Sequence, residues 1–259
     1  MTIKNKKIMG FTLAEVLITL GVIGVVAALT IPTLFANYQK KVYVTQLKKA
    51  YSEINQALIQ LSADNGCIGD LKCTGLFNST SRVPFGTEFV KYFKVAKDCG
   101  STELGCLSNS VAYTYNGSGG RGDYDANAWA DSYRFVTMDN ISIYIYNVFG
   151  NYTGCAAGWS THKTNNLTQI CSQIDIDVNG PSKGPNNFGK DIFKFYISNG
   201  KGPLLYPFGG PDDGGNPFYW CDSSAPYGDY CAARIMNENW EMNYDDAGSY
   251  IVPEPPPGT

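Results

Sequence analysis

Hydrophobic and polar positions divide the chain into two regimes. From Phe11 to Ala36 nearly every residue is apolar or small, and the only ionisable side chain in that run is Glu15. A run of this length is long enough to span a bilayer as a helix. From Val44 onward the pattern becomes periodic. Val44, Leu47, Ala50 or Tyr51, Ile54, Leu58 and Leu61 recur at three- and four-residue steps, while Lys40, Lys41, Lys48, Lys49, Glu53, Asn55, Gln56 and Gln60 fall mostly on the other side. That spacing gives one apolar helical face. Asp64-Asn65-Gly66 is a stop signal. The two patterns predict one helix from Phe11 to Ala63, roughly 80 Å long at about 1.5 Å per residue. Its first half suits a membrane or a filament core, and its second half suits packing on a sheet.

Beyond the helix the chain from Gly66 to Ser132 reads as irregular, with a short amphipathic helix over Thr87 to Ala96. Tyr133 to Met138 and Ile141 to Phe149 are β-rich runs joined by Asp139-Asn140, a hairpin signal. Ile141, Ile143 and Ile145 alternate with Ser142, Tyr144 and Tyr146, so one strand face is aliphatic. Ile170 to Val178 and Ile192 to Ser198 predict two more strands, and Cys231 to Met236 a short helix. Gly209 to Pro217 reads as a surface loop, and the Pro-rich tail Pro253 to Thr259 as disordered. The economical fold is α+β: the long helix laid on an antiparallel sheet, with a loop-rich C-terminal region.

Composition adds three constraints. The 28 glycines and 18 tyrosines suggest a loop-heavy domain with exposed aromatic residues. The formal charge is −3, and loss of Lys4, Lys6 and Lys7 would take it to −6. An acidic surface argues against nucleic acid as a partner. The eight cysteines form an even set, which in an exported chain reads as disulfides. On the order of a hundred pairings are available. The simplest joins sequence neighbours: Cys67–Cys73, Cys99–Cys106, Cys155–Cys171 and Cys221–Cys231. Zinc is the weaker reading, because there is no C-x-x-C and only one histidine, His162.

One stretch has the residues for metal chemistry. Asp175-Ile176-Asp177-Val178-Asn179-Gly180, followed by Asp191, spaces hard oxygen ligands along a turn, as calcium requires. An EF-hand would need a Glu where Asn186 stands, so this is not that motif. Two readings stay open: a structural calcium site built from Asp175, Asp177, Asn179 and Asp191, or a turn in which Asp and Asn cap their own backbone. No cofactor is otherwise required. The Gly-rich run Asn116 to Asp123 lacks the flanking residues of a phosphate loop, and its Arg121-Gly122-Asp123 is a tripeptide that chance supplies. His162 lies alone in a polar loop, and no catalytic set is evident, so an enzyme is not expected.

The basic leader Lys4-Asn5-Lys6-Lys7-Ile8-Met9-Gly10, then Phe11-Thr12-Leu13-Ala14-Glu15 and the aliphatic run, resembles the N-terminal signal of type IV pilins and of type II secretion pseudopilins. The likeness covers Lys4 to about Leu61. Weaker echoes lie in Asp177-Val178-Asn179-Gly180 and its continuation to Asp191, and in Cys231-Ala232-Ala233-Arg234 with Trp240 to Tyr244. The resemblance implies a leader over 1–10, cut by a prepilin peptidase between Gly10 and Phe11. It implies N-methylation of Phe11, a membrane and filament-core helix over 11–36 bent at Pro32, and an extracytoplasmic globular domain over 37–252. It implies a calcium-ordered loop as seen in major pseudopilins. The implied partners are other pilin or pseudopilin subunits, the peptidase, an inner-membrane assembly platform and, before assembly, the membrane itself.

A physical argument runs beside the likeness. Cutting at Gly10 would create an amine next to Glu15 in an apolar setting, and pairing the two charges between neighbouring subunits would relieve both and set axial register. A Glu that snorkels to the interface is the plainer alternative. The three leader lysines favour a cytoplasmic N-terminus, although Lys40, Lys41, Lys48 and Lys49 on the far side weaken that count. The disulfide set places the C-terminal domain outside the cytoplasm. A cut by ordinary signal peptidase after Val26-Ala27-Ala28 would instead release a secreted protein starting at Leu29. A second functional class is a tip-located or membrane-tethered binding module for an adhesive target, a secreted substrate or DNA.

Overall fold

The computed structural model describes residues 12–112, 120–122, 124–147, 154–155, 167–199, 202–213, 221 and 228–244. Gly10, Phe11, most of the 116–123 loop, His162, residues 214–217 and the 253–259 tail lie outside the described residues. The chain divides into two units, Met1–Lys41 and Val42–Thr259.

Helix α1 runs from Leu13 to Asp64 and contains Pro32. It ends at the predicted Asp64-Asn65-Gly66 signal, and Gly66 takes the left-handed φ of +70° that L-residues rarely adopt. In the first unit the large apolar side chains of α1 from Leu13 to Tyr38 are exposed. In the second unit Val44, Leu47, Ala50, Ile54, Ala57, Leu58 and Leu61 are buried, matching the periodic stripe.

The second unit is built on a six-stranded sheet. Its strands are β1 (Val95–Gly100), β4 (Tyr133–Thr137), β5 (Ser142–Tyr146), β6 (Ile170–Asp177), β7 (Ile192–Ser198) and β8 (Leu205–Pro207), all antiparallel and in that order across the sheet. The short strands β2 (Ser110–Ala112) and β3 (Gly120–Gly122) form a separate pair. From β4 to β8 each strand pairs with its sequence neighbour. Asn140 closes the β4–β5 turn at φ +62°, and Asn tolerates that left-handed region better than most residues.

Register sorts the two faces. Phe135, Ile143, Ile176 and Phe193 lie opposite one another across four strands, as do Tyr133, Ile145, Ile174 and Phe195. These rows join Leu47, Ile54, Leu58 and Leu61 in the main core. Tyr51 of α1 meets Phe195 at 5.9 Å between ring centroids, and the Asn55 side-chain oxygen accepts a bond from the Leu205 N–H at 3.1 Å. The opposite face carries Arg134, Tyr144, Asp175 and Lys194 in one row. It is buried too, under Leu107, Val111, Tyr124 and Phe188.

Two expectations are corrected here. Helix α2 spans Val83–Phe89 with Pro84 in its first turn, followed by a 3-10 turn over Val90–Tyr92, and Val95–Gly100 is strand β1. The reading of Thr87 to Ala96 as a helix missed that proline start, and the polar edge strand gave no alternating signal. Gly86 belongs in α2 because a Cβ there would lie 2.1 Å from the Tyr133 ring, so the helix sits close on β4. The expectation of exposed aromatic residues is cut back for the described residues: of their tyrosines only Tyr38 is exposed, and Trp129 is exposed in the domain.

Four disulfides staple the loops: Cys67–Cys73, Cys99–Cys106, Cys155–Cys171 and Cys221–Cys231. All but Cys73 are buried.

Candidate functional site

Two places carry the predicted site residues: the start of α1 and the loop that follows β6. At the first, Thr12 and Glu15 form a reciprocal cap. The Glu15 carboxylate accepts the Thr12 N–H at 2.8 Å and the Thr12 hydroxyl at 2.9 Å, while the Glu15 N–H donates to the Thr12 hydroxyl oxygen at 3.2 Å. This is the Ser/Thr-x-x-Glu capping box, which satisfies otherwise orphaned N–H groups at a helix start. The spelling Thr12-Leu13-Ala14-Glu15 carries that capping signal.

Downstream, none of the most apolar window of α1 is buried, which separates it from the core helix of a soluble protein. Its length and composition suit a membrane anchor and a signal sequence alike. A Cβ added at Gly21 or Gly24 would meet nothing within 4 Å. Glycine in a helix interior costs about 1 kcal/mol relative to alanine. Nothing among the described residues accounts for that cost. Pro32 lacks the backbone donor that would reach Ala28, a common origin of helix bending.

The second place gathers three of the four predicted metal-ligand residues. Asp177, at the end of β6, accepts N–H bonds from Asn179 at 3.2 Å and Gly180 at 2.8 Å. Asp191 accepts N–H bonds from Asn186 and Asn187, each at 2.8 Å, and the Asn179 amide at 3.2 Å. Asn179 therefore bridges the two carboxylates, and its amide also donates to the Gly184 carbonyl at 3.1 Å. Its side-chain oxygen is buried without a partner. Gly180 takes a φ of +89°, and a Cβ there would collide with Asn140 at 2.3 Å, so glycine is required in this turn.

Burial pushes the Asp177 carboxyl up to about 7, reinforced by the nearby Asp191 charge. Asp191 is raised for the same first reason. On the α1 side, Tyr43 is raised by burial and by the charges of Asp191 and Asp177. Asp175 stands apart. It accepts hydroxyl bonds from Tyr124 at 2.9 Å and Tyr146 at 3.1 Å, and burial lifts it to about 6 against the opposing pull of Lys194.

The chemistry follows from these partners. Asp177, Asn179, Asp191 and the Gly184 carbonyl offer two carboxylates, one orphaned amide oxygen and a carbonyl, a hard-oxygen set of the kind calcium takes. Most of the carboxylate bonding capacity is already spent on N–H groups, which is the arrangement of a capped turn. Among the described residues no three His, Cys, Asp or Glu side chains gather as a metal cluster. The cavity beside Asp175 and Asp177 measures about 10 Å³, room for little more than a water.

Pattern reading missed a second buried polar knot. Arg134 of β4 pairs with Asp125 at 3.3 Å with both side chains almost fully buried, and Asp125 also accepts the Gly105 N–H. Their spacing in the chain offers no signal, because Asp125 reaches Arg134 from a turn outside the sheet.

No protein-family model, curated protein or solved structure matches the chain.

Proposed function

We propose that the chain is a filament subunit of the type IV pilin or pseudopilin kind. It is held in the inner membrane by its N-terminal helix, with the stapled domain outside the cytoplasm. A prepilin peptidase cuts between Gly10 and Phe11, and Phe11 is methylated. Subunits then leave the bilayer, through an assembly platform, and pack their apolar helices together. The observation that carries this reading is the exposure of every large apolar side chain from Leu13 to Tyr38, which demands a cover from lipid or other copies. Calcium at Asp177, Asn179 and Asp191 is part of the proposal as a structural ion.

In this reading Glu15 has two roles, the helix cap and a register charge between subunits. Glu15→Gln keeps a capping acceptor and removes the charge, whereas Glu15→Ala removes both. If the charge fixes register between subunits, both variants are cleaved normally and both lose filaments seen by electron microscopy. Filaments from Glu15→Gln, with loss confined to Glu15→Ala, would reduce Glu15 to a helix cap.

A further inference from the structure

A lysine and a carboxylate meet inside the domain in an arrangement that a salt bridge alone does not explain. Lys194 lies in β7, and its Nζ stands 3.0 Å from Asp229 Oδ1, with the two side chains only 13 % and 23 % exposed. The rings of Phe188 and Phe208 flank that nitrogen, with centroids 5.0 and 5.3 Å away. Asp229 Oδ1 is buried and accepts no hydrogen bond among the described residues. The nitrogen is therefore close enough for a hydrogen bond but off the line that one needs. Both groups are held by their backbones. The Lys194 carbonyl accepts the Phe208 N–H at 3.2 Å. Asp229 comes just before helix α3 (Cys231–Asn237), whose first residue is bonded to Cys221. A Cβ at Gly228 would lie 2.0 Å from the Phe188 carbonyl oxygen, so the segment carrying Asp229 packs directly on the one below it.

We propose that Lys194 and Asp229 join in an intramolecular isopeptide bond that welds the segment before α3 to β7. The bond requires only the folded domain, whichever role the chain plays. Aromatic walls strip water from the ion pair, which narrows the gap between it and the neutral amine with its carboxylic acid. The ammonium gives one proton to Asp229, and the free amine adds to Cγ. A second proton passes from the nitrogen to one of the oxygens. The C–O bond then breaks and water departs, leaving an Nζ–Cγ amide with no oxidant or cofactor consumed. Amide formation is unfavourable between free solutes in water, but groups fixed in contact react at effective molarities of about 10⁵ M or more.

The test uses the full chain, reduced, alkylated, digested with trypsin and read by tandem mass spectrometry. The expected product is a branched peptide one water lighter than its two arms, with no cleavage after Lys194. Lys194→Arg keeps the cation and should give linear peptides only. Asp229→Asn should give the same branched peptide with ammonia as the leaving group, and Asp229→Ala should give none. Linear peptides from the parent chain, with the Cys221–Cys231 bond present before reduction as the mark of a folded domain, would overturn the proposal and leave a salt bridge. A water lost at any other position would overturn it too. So would a branch to Asp175, which faces Lys194 across the register.

Discussion

The two halves of α1 obey the same helical geometry and are covered by different things. From Val44 to Leu61 the apolar residues occupy one stripe and are buried against the sheet rows that include Ile143, Ile174 and Phe195. From Leu13 to Phe35 apolar residues occupy all sides and none is buried. A stripe implies a single neighbour, supplied by the chain itself. An all-round apolar surface implies a surrounding medium or many neighbours, and the described residues supply neither. The second half therefore contributes to the core of the fold, and the first half does not.

The sharpest way to break that contrast is truncation in each half. Leu58→Ala removes a fully buried side chain from the core, and a loss of about 2–5 kcal/mol in domain stability is expected in denaturant unfolding. Leu20→Ala in the exposed half should leave the same measurement within about 0.5 kcal/mol. Equal losses would mean that the first half packs on the domain after all. A charge probes the first half directly. Leu20→Arg should cost about 3 kcal/mol of membrane insertion and move the protein out of the membrane fraction, while the unfolding midpoint of the domain stays put. Retention in the membrane would contradict a spanning segment.

Smaller effects sharpen the comparison from the side of the domain. Burial raises Asp175 and Asp213 to about 6 each, above the ordinary carboxylate value. The native state then holds more protons than the unfolded chain between about pH 4 and pH 6. These two groups should make the domain more stable at pH 5 than at pH 7.5, by on the order of 1–2 kcal/mol, and Asp175→Asn should flatten that part of the profile. Stability that rises across this window would show that the two carboxyls are ionised at no cost. Calcium at millimolar concentration should raise the thermal midpoint by a few degrees, and Asp177→Asn should abolish the rise. No rise in the parent protein would leave Asp177 and Asp191 as turn caps alone.

The fold was legible wherever a pattern repeated. The stripe from Val44 to Leu61, the alternation through Ile141, Ile143 and Ile145, and the Asp139-Asn140 turn each encode their structure locally. Strand β1 was not legible, because Val-Ala-Lys-Asp-Cys-Gly is a polar edge with register shifts against β4. Strands β2, β3 and β8 are three residues each, too short for a period to show. Alternation marked the aliphatic face of β5 but not the burial of its tyrosine face, which Leu107, Val111, Tyr124 and Phe188 cover from segments that follow no period. At the candidate sites, Asp177, Asn179 and Asp191 were legible from spacing. The separation of Asp175 was not, because it depends on Tyr124 and Tyr146 arriving from other elements.

The most direct measurement is the N-terminal mass of the mature protein isolated from membranes of its own host. The account predicts a chain that begins at Phe11 and carries one added methyl group. A mature chain beginning at Leu29 would mean that the exposed half of α1 is removed as a signal sequence, and the contrast between the two halves would have nothing to do with filaments.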